Sequence, residues 1–198
     1  MSEALERLRR ALDRPGDATS DFDLNADGPP RRDLRAAGVL VPLIDGPRGL
    51  ELILTKRSTR LRHHPGQVAF PGGRMDPEDR DPVDAALREA EEEIGLPRSL
   101  VDVIGTLPGH QTVTSYHMTP VIGHVRAPFD ALAEEAEVAE IFHVPFEAVT
   151  DRARFTIEGR IWQGRLRRYY TVPYGPYYIW GATARILRGL AERMALCD

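Results

Sequence analysis

Residues 81–96 carry strong helix start and stop signals, and they constrain the fold more than any other stretch of the chain. Asp81 followed by Pro82 is typical of a helix N-terminus, and Gly95 is typical of the position just past a helix end. At about 100° per residue, the apolar side chains fall within about 60° of one another. The stretch therefore predicts an amphipathic helix with one buried stripe: Val83, Ala86, Leu87, Ala90 and Ile94.

The polar side of this helix concentrates negative charge. Glu89, Glu92 and Glu93 fall within roughly 100° of one another around the helix, whereas Glu91 falls away from them. Two carboxylates about 6 Å apart repel by roughly 3 kcal/mol at an effective dielectric near 20, and only Arg88 is spaced to reach Glu92. The residues alone leave two interpretations open, a solvated acidic face or a set of oxygen ligands for Mg²⁺ or Mn²⁺.

Composition excludes several classes of function. Apolar residues make up 42% and charged residues 28% of 198 residues, which indicates one globular domain. The net charge of −4 gives no basic field, so we expect no nucleic-acid partner. A single cysteine, Cys197, excludes a disulfide framework or a cysteine-based zinc site within one chain. Without a signal peptide or an apolar run long enough for a membrane span, a cytoplasmic protein with no membrane partner is expected.

The order of the elements predicts an α+β layered domain built on a mixed sheet. Strands are expected at 36–44 and 50–55, which form a hairpin, and at 67–70, 101–107, 119–125 and 138–144. A late hairpin is expected to turn at Glu158-Gly159, and a closing helix spans 182–194. The predicted domain boundaries are 1–35, an N-terminal helix (5–12) followed by a surface loop (17–33), and 36–198, the main domain.

Two features just before the acidic helix suit phosphate chemistry. Pro71-Gly72-Gly73 ends a short strand, and its two glycines, which lack a Cβ, let a ligand approach the backbone closely. The preceding loop is basic, and arginine side chains there can hold phosphates through paired N–H donors: Arg57, Arg60 and Arg62. Arginines opposite cation-binding carboxylates are suited to hydrolysis of a phosphoric anhydride.

The sequence around the acidic helix resembles the Nudix family. Residues 88–96, Arg-Glu-Ala-Glu-Glu-Glu-Ile-Gly-Leu, match every specified position in the second half of the Nudix box, Gly-x5-Glu-x7-Arg-Glu-U-x-Glu-Glu-x-Gly-U, where U is apolar. Gly73 matches the first glycine, but Asp79 stands where Glu is usual and lies one residue too far from Arg88. Counting back with the usual spacing reaches Arg80 instead. The resemblance implies a Nudix α/β/α sandwich and a hydrolase.

A second motif resembles the signature that precedes the box in coenzyme A pyrophosphatases. It comprises residues 53–58 (Ile-Leu-Thr-Lys-Arg-Ser), Arg62, Gly66 and 70–73 (Phe-Pro-Gly-Gly) at the expected spacings, and departs only at its first position, where Leu is usual. Residues 180–184, Trp-Gly-Ala-Thr-Ala, also resemble this subfamily. The implied reaction splits coenzyme A or a derivative into 3′,5′-ADP and 4′-phosphopantetheine, or acyl-phosphopantetheine, with Mg²⁺ or Mn²⁺ as cofactor.

The resemblance also implies roles for the matched residues. The implied metal ligands are Glu89, Glu92, Glu93 and the carbonyl of Gly72 or Gly73, and the implied bracing residue is Arg88. The implied substrate-binding residues are Arg57, Arg62, Gly66, Phe70 and Gly73. Glu137, beside the strand expected at 138–144, is a candidate additional carboxylate, and Tyr116 is a candidate for the pantetheine side.

Two other functions remain open from the sequence. The first is a Nudix enzyme for another nucleoside diphosphate, such as ADP-ribose or a dinucleotide, and the arginine motif at 57–66 argues for coenzyme A instead. The second is a nucleotide-binding regulator without catalysis, and the complete set of box glutamates argues against it.

Overall fold

The computed structural model describes residues 3–25, 33–162 and 164–197. Its central strand is β2 (Arg35–Gly46), whose residues 37–44 are all buried. Strand β2 pairs in parallel with β8 (Tyr116–Val125) and antiparallel with β3 (Gly49–Arg57). Because both faces of β2 are covered, its sequence is a continuous apolar run rather than an alternating one.

The remaining strands of the sheet extend from this centre. Strands β4 and β9 pair with β3, β5 pairs with β2, β6 and β7 pair with β8, and β1 pairs in parallel with β7. Their bounds are β1 Thr19–Ser20, β4 Val68–Ala69, β5 Gly72–Arg74, β6 Val101–Thr106, β7 His110–Gln111 and β9 Val138–Pro145. A separate antiparallel hairpin follows, made of β10 (Thr156–Trp162) and β11 (Arg165–Thr171).

Helices cover both faces of the sheet. Helix α2 (Pro82–Ile94) packs on one face, where its apolar stripe meets Leu40 and Ile44 of β2. The intervening residues of β2, including Val41 and Leu43, face the opposite core. That core is closed by α1 (Glu3–Leu12), α3 (Phe146–Thr150) and α4 (Gly181–Met194). The expected α+β class and α/β/α layering are therefore confirmed.

Three local expectations were wrong. The late hairpin turns between Trp162 and Arg165, not at Glu158-Gly159, which lies inside β10. The expected surface loop at 17–33 contains β1 and a buried residue, Phe22, while its residues 26–32 lie outside the described ranges. Finally, Gly72 and Gly73 begin strand β5, which pairs with β2, rather than only ending a strand.

Helix α1 is joined to the main domain by packing. Leu5 and Leu8 are buried in the same core as Leu187 and Leu190 of α4. The division of the chain at residues 35 and 36 stays a prediction. Over the described ranges, no helix combines the length and the apolar character that a membrane span requires.

Candidate active site

Both ends of helix α2 are fixed by local hydrogen bonds. The Asp81 carboxylate accepts from the Asp84 N–H at 2.8 Å, and Gly95 adopts the left-handed conformation with φ of 68°. At the C-terminal end, the N–H groups of Leu132 and Glu134 donate to backbone carbonyls of the last turn. These caps satisfy groups that a helix end leaves unpaired, so they fix where the acidic side chains of α2 are placed.

Arg88 links two of the three box glutamates to Asp79. Its Nη1 donates to Glu89 and to Glu92, both at 2.9 Å, and its Nη2 donates to the Arg74 carbonyl. Its Nε and Nη2 also donate to the two carboxylate oxygens of Asp79, at 3.0 and 2.9 Å. The arrangement raises the pKa of Arg88 and, through the same hydrogen bonds, lowers the pKa of the Asp79 carboxyl group.

The geometry accounts for the departure from the Nudix box. Asp79 is buried, with both oxygens directed at Arg88, and it also accepts from the Asp76 N–H at 2.7 Å. Arg80, at the usual spacing, instead pairs with Asp84 on the surface. The shorter side chain thus reaches Arg88 from one residue further away, and Arg80 takes no part in this cluster.

Glu93 is the most buried of the acidic side chains on α2, with 4% of its surface exposed. One carboxylate oxygen accepts from the Gly72 N–H at 3.0 Å, and the other lies 3.9 Å from Nη1 of Arg57. Burial raises the pKa of Glu93 to about 7, against the opposing effects of the Gly72 hydrogen bond and the Arg57 charge. The nearby carboxylates of Glu89 and Glu137 raise the pKa further.

Glu89 lies against Gly73 at the start of β5. A Cβ added to Gly73 would come within 2.5 Å of a Glu89 carboxylate oxygen, so a larger residue at position 73 would displace this carboxylate. Partial burial raises the pKa of Glu89, and the charges of Glu92 and Glu137 add to the effect. The structure therefore brings Glu89, Glu93 and Glu137 into one electrostatic neighbourhood, although Glu137 is itself exposed.

The three glutamates of the Nudix box differ in solvent exposure, although their helical spacing places them on one side of α2. Glu93 is buried, Glu89 is half-buried and Glu92 is exposed. Among the described residues, no group of three or more His, Cys, Asp or Glu side chains is arranged to hold a metal ion. The donor chemistry nevertheless fits a hard divalent cation, because carboxylate oxygens predominate and a positive charge would offset the mutual repulsion of Glu89 and Glu93.

A cavity of about 330 Å³ adjoins these carboxylates through Gly72 and Arg57, which belong to its lining. Among the lining residues that the structure describes, four are arginines and one, Asp21, is a carboxylate. Most of the remainder is apolar or aromatic, including Phe70 and Tyr116. The cavity is thus suited to an anion that carries a flat or apolar portion.

The expected substrate-binding residues separate into two groups. Arg57, Phe70 and Tyr116 line the cavity, and Phe70 is also buried in the core. Arg62 is exposed and does not belong to the cavity lining. Gly66 contributes conformation, since its φ of 69° and its N–H bond to the Arg57 carbonyl close the basic loop.

The cavity also contains residues that the sequence analysis did not select. They are Asp21, His64, Thr112, Arg160, Trp162, Arg167, Arg168 and Tyr169, whereas Trp180 belongs to the motif at 180–184. The signal that could have identified several of them is the mixture of arginines and aromatic residues along 160–169. These residues lie on a hairpin far along the chain from the acidic helix, so they are not part of the motifs around that helix.

Comparisons with known proteins identify the family of this chain. A family model described as the NUDIX domain matches residues 34–161. Two relatives, from Yersinia pestis (strain Pestoides F) and Yersinia pseudotuberculosis serotype O:1b (strain IP 31758), are each described as "Uncharacterized Nudix hydrolase NudL". Each is 40% identical to this chain over 162 residues, which covers 82% of this chain and 81% of the relative.

A solved structure supports the fold. The NUDIX hydrolase from Alicyclobacillus acidocaldarius superposes with a TM-score of 0.50 at 20% identity, covering 82% of this chain and 93% of that one. Nudix hydrolases generally require divalent metal ions, which agrees with the oxygen-rich donor set on α2. With the family model and the relatives taken together, the chain belongs to the Nudix hydrolase family.

Proposed function

We propose that this Nudix hydrolase cleaves the diphosphate of coenzyme A or one of its derivatives. The observation that carries the proposal is the position of Glu93, which contacts Gly72 and Arg57 at the edge of an arginine-lined cavity. Carboxylates that can hold a cation thus adjoin a guanidinium that can hold a phosphate. The motif at 53–73 favours coenzyme A among the possible diphosphates.

The proposed ligands for Mg²⁺ or Mn²⁺ are Glu89, Glu92, Glu93 and the carbonyl of Gly72. A bound divalent ion would offset the developing charge on the phosphate oxygens and make water a better nucleophile. Arg57 would hold the diphosphate. Arg88, itself held by Asp79, would keep Glu89 and Glu92 in position. Glu137 is proposed as an additional carboxylate at the rim.

The bond changes follow from these positions. The oxygen of water attacks one phosphorus of the diphosphate, and the bond from that phosphorus to the bridging oxygen breaks. Glu89 or Glu93 accepts the proton of the attacking water, a role suited to carboxyl groups whose pKa is raised toward neutrality. The products are 3′,5′-ADP and 4′-phosphopantetheine, or its acyl form.

A product assay on a small substrate panel tests the proposal. The purified chain is incubated with coenzyme A, 3′-dephospho-coenzyme A and ADP-ribose, with Mg²⁺, Mn²⁺ or excess chelator. We expect metal-dependent release of 3′,5′-ADP from coenzyme A, the highest kcat/KM for that substrate, and no turnover in chelator. Preferential hydrolysis of ADP-ribose would instead establish another nucleoside diphosphate as substrate, and turnover in excess chelator would contradict the metal mechanism.

A further inference from the structure

The β10–β11 hairpin presents two arginines directly opposite each other on the side of the cavity. Arg160 and Arg167 are cross-strand partners in the register of the hairpin, and both line the cavity. Like charges directly opposite in an antiparallel pair destabilise it. In addition, Nη2 of Arg167 is buried and has no hydrogen-bond partner in the described part of the structure. An anion placed between the two side chains would offset this repulsion and could accept a hydrogen bond from Nη2 of Arg167.

Aromatic rings hold these guanidinium groups in place. The Arg160 guanidinium carbon lies 4.4 Å from the centre of the Trp180 ring. That of Arg167 lies 4.8 Å from the Phe22 ring and 5.3 Å from the Trp162 ring. A stacked guanidinium still presents its N–H groups in its own plane, so the stacking orients these donors without consuming them.

We propose that Arg160, Arg167, Trp162, Tyr169 and Trp180, here named the hairpin wall, bind the nucleotide end of the substrate. The two arginines bind a phosphomonoester that is separate from the diphosphate being cleaved, and the aromatic rings contact the base. This inference rests on the proposed function, in which the phosphomonoester is the 3′-phosphate of coenzyme A. It assigns the recognition of that phosphate to the hairpin wall, whereas Arg62, which the family resemblance implies as a substrate-binding residue, lies outside the cavity lining.

The hairpin wall is separate from the residues that act on the diphosphate. Arg57, the arginine beside Glu93, belongs to β3, whereas Arg167, Tyr169 and Trp180 follow residue 161, the last residue that the NUDIX domain model matches. Four of the five hairpin-wall residues therefore lie outside the matched range, whereas Arg160 lies just inside it. Chemistry and recognition can then be tested independently.

Intrinsic fluorescence gives a direct binding assay, because the chain has two tryptophans and both line the cavity. The metal-free protein is titrated with 3′,5′-ADP and with 5′-AMP, which lacks only the 3′-phosphate, with excitation at a wavelength that adenine does not absorb. We expect both ligands to change the fluorescence, with 3′,5′-ADP binding about 10- to 100-fold more tightly, the range for one hydrogen bond to a charged group. Equal affinities would overturn the proposal.

Variants that remove one positive charge test whether Arg160 and Arg167 bind the 3′-phosphate. R167Q and R160Q should each weaken 3′,5′-ADP binding by about tenfold or more while leaving 5′-AMP binding within about twofold. They should also raise KM for coenzyme A more than KM for 3′-dephospho-coenzyme A. The matched control is R154Q, an exposed arginine just before β10 that does not line the cavity, which should change neither. Unchanged 3′,5′-ADP affinity in both hairpin variants would overturn the assignment.

The two proposals fail in different ways. If the protein binds 3′,5′-ADP selectively through Arg160 and Arg167 but does not hydrolyse coenzyme A, the hairpin wall stands and the proposed function is wrong. If the protein hydrolyses coenzyme A with no preference for 3′,5′-ADP over 5′-AMP, the proposed function stands and the hairpin wall is wrong.

Discussion

At the scale of single residues, burial and pairing give the carboxyl groups of α2 different properties. The sequence predicted Glu89, Glu92 and Glu93 from their helical spacing and family motif, which are local properties. It could not predict that Glu93 is buried against Gly72 while Glu92 remains exposed, because that depends on how β5 approaches the helix. The sequence also did not predict the pairing of Asp79 with Arg88, because the usual spacing of the Nudix box places Arg80 at that position.

Replacing Glu93 should separate its catalytic role from its effect on stability. The pKa of Glu93 is raised to about 7 from an ordinary value of 4.5, so the stability it contributes is complete at low pH and is lost as the pH rises through 7. In chelator, E93Q should therefore be more stable than the parent protein at pH 8, by on the order of 1–3 kcal/mol, because glutamine can still accept the Gly72 hydrogen bond. With metal, its kcat should fall by orders of magnitude.

Urea unfolding at pH 5 and pH 8, together with the coenzyme A assay, measures both effects. E91Q is the control, since Glu91 lies on the same helix but is exposed and bonded to Arg98. It should alter neither the activity nor the pH dependence. Parental activity in E93Q would refute a catalytic role, and an unchanged pH dependence of stability would refute the raised pKa.

Removing the charge of Asp79 should disrupt the positioning of Arg88. D79N weakens two charge-assisted hydrogen bonds in a buried pair, so we expect a loss of about 1.5–3 kcal/mol in the free energy of unfolding and a lower kcat. R80Q changes the residue at the usual box spacing and should leave both quantities at parental values. The opposite pattern, with R80Q impaired and D79N normal, would show that Asp79 has been assigned incorrectly.

At the scale of elements, the residues that cap the two ends of α2 predicted this helix correctly. Two other elements depend on contacts between residues far apart in the sequence, which local sequence patterns do not encode. Strand β1 has two residues and exists through its pairing with His110–Gln111. The late hairpin was predicted to turn at Glu158-Gly159, but Gly159 proved to be a strand residue opposite Arg168, with the Leu166 side chain close to it. Gly38 shows the same dependence on distant packing, since a Cβ there would collide with the Pro82 carbonyl of α2.

The close approach of β2 to α2 makes a substitution at Gly38 costly. G38A should lower the free energy of unfolding by about 1–3 kcal/mol or more, because backbone atoms of α2 must move to admit the methyl group. The control is G105A in β6, where a Cβ would meet its nearest neighbour, a Leu12 methyl group, at 3.4 Å. Denaturant unfolding of both variants checks the difference, and equal stabilities would contradict the tight packing.

At the scale of the whole molecule, the cavity joins segments that are far apart in the sequence. Asp21, Arg57, Thr112, Arg167 and Trp180 all line it, and they come from five separate parts of the chain. Most of the candidate residues that the sequence pointed to lie in one continuous stretch, residues 53–96, with Tyr116, Glu137 and the motif at 180–184 outside it. The sequence did not point to Asp21, Thr112 or Arg167, because the folded sheet and the hairpin bring those side chains to the cavity.

Anomalous diffraction from crystals containing Mn²⁺ tests the central claim most directly. The claim is that the carboxylates of α2 beside Gly72 bind the divalent ion that makes diphosphate hydrolysis possible. We expect an anomalous peak within about 2.0–2.6 Å of carboxylate oxygens of Glu89 and Glu93, and its loss in E93Q crystals. An enzyme that hydrolyses coenzyme A with Mn²⁺ but shows no ion beside these two side chains would contradict the account.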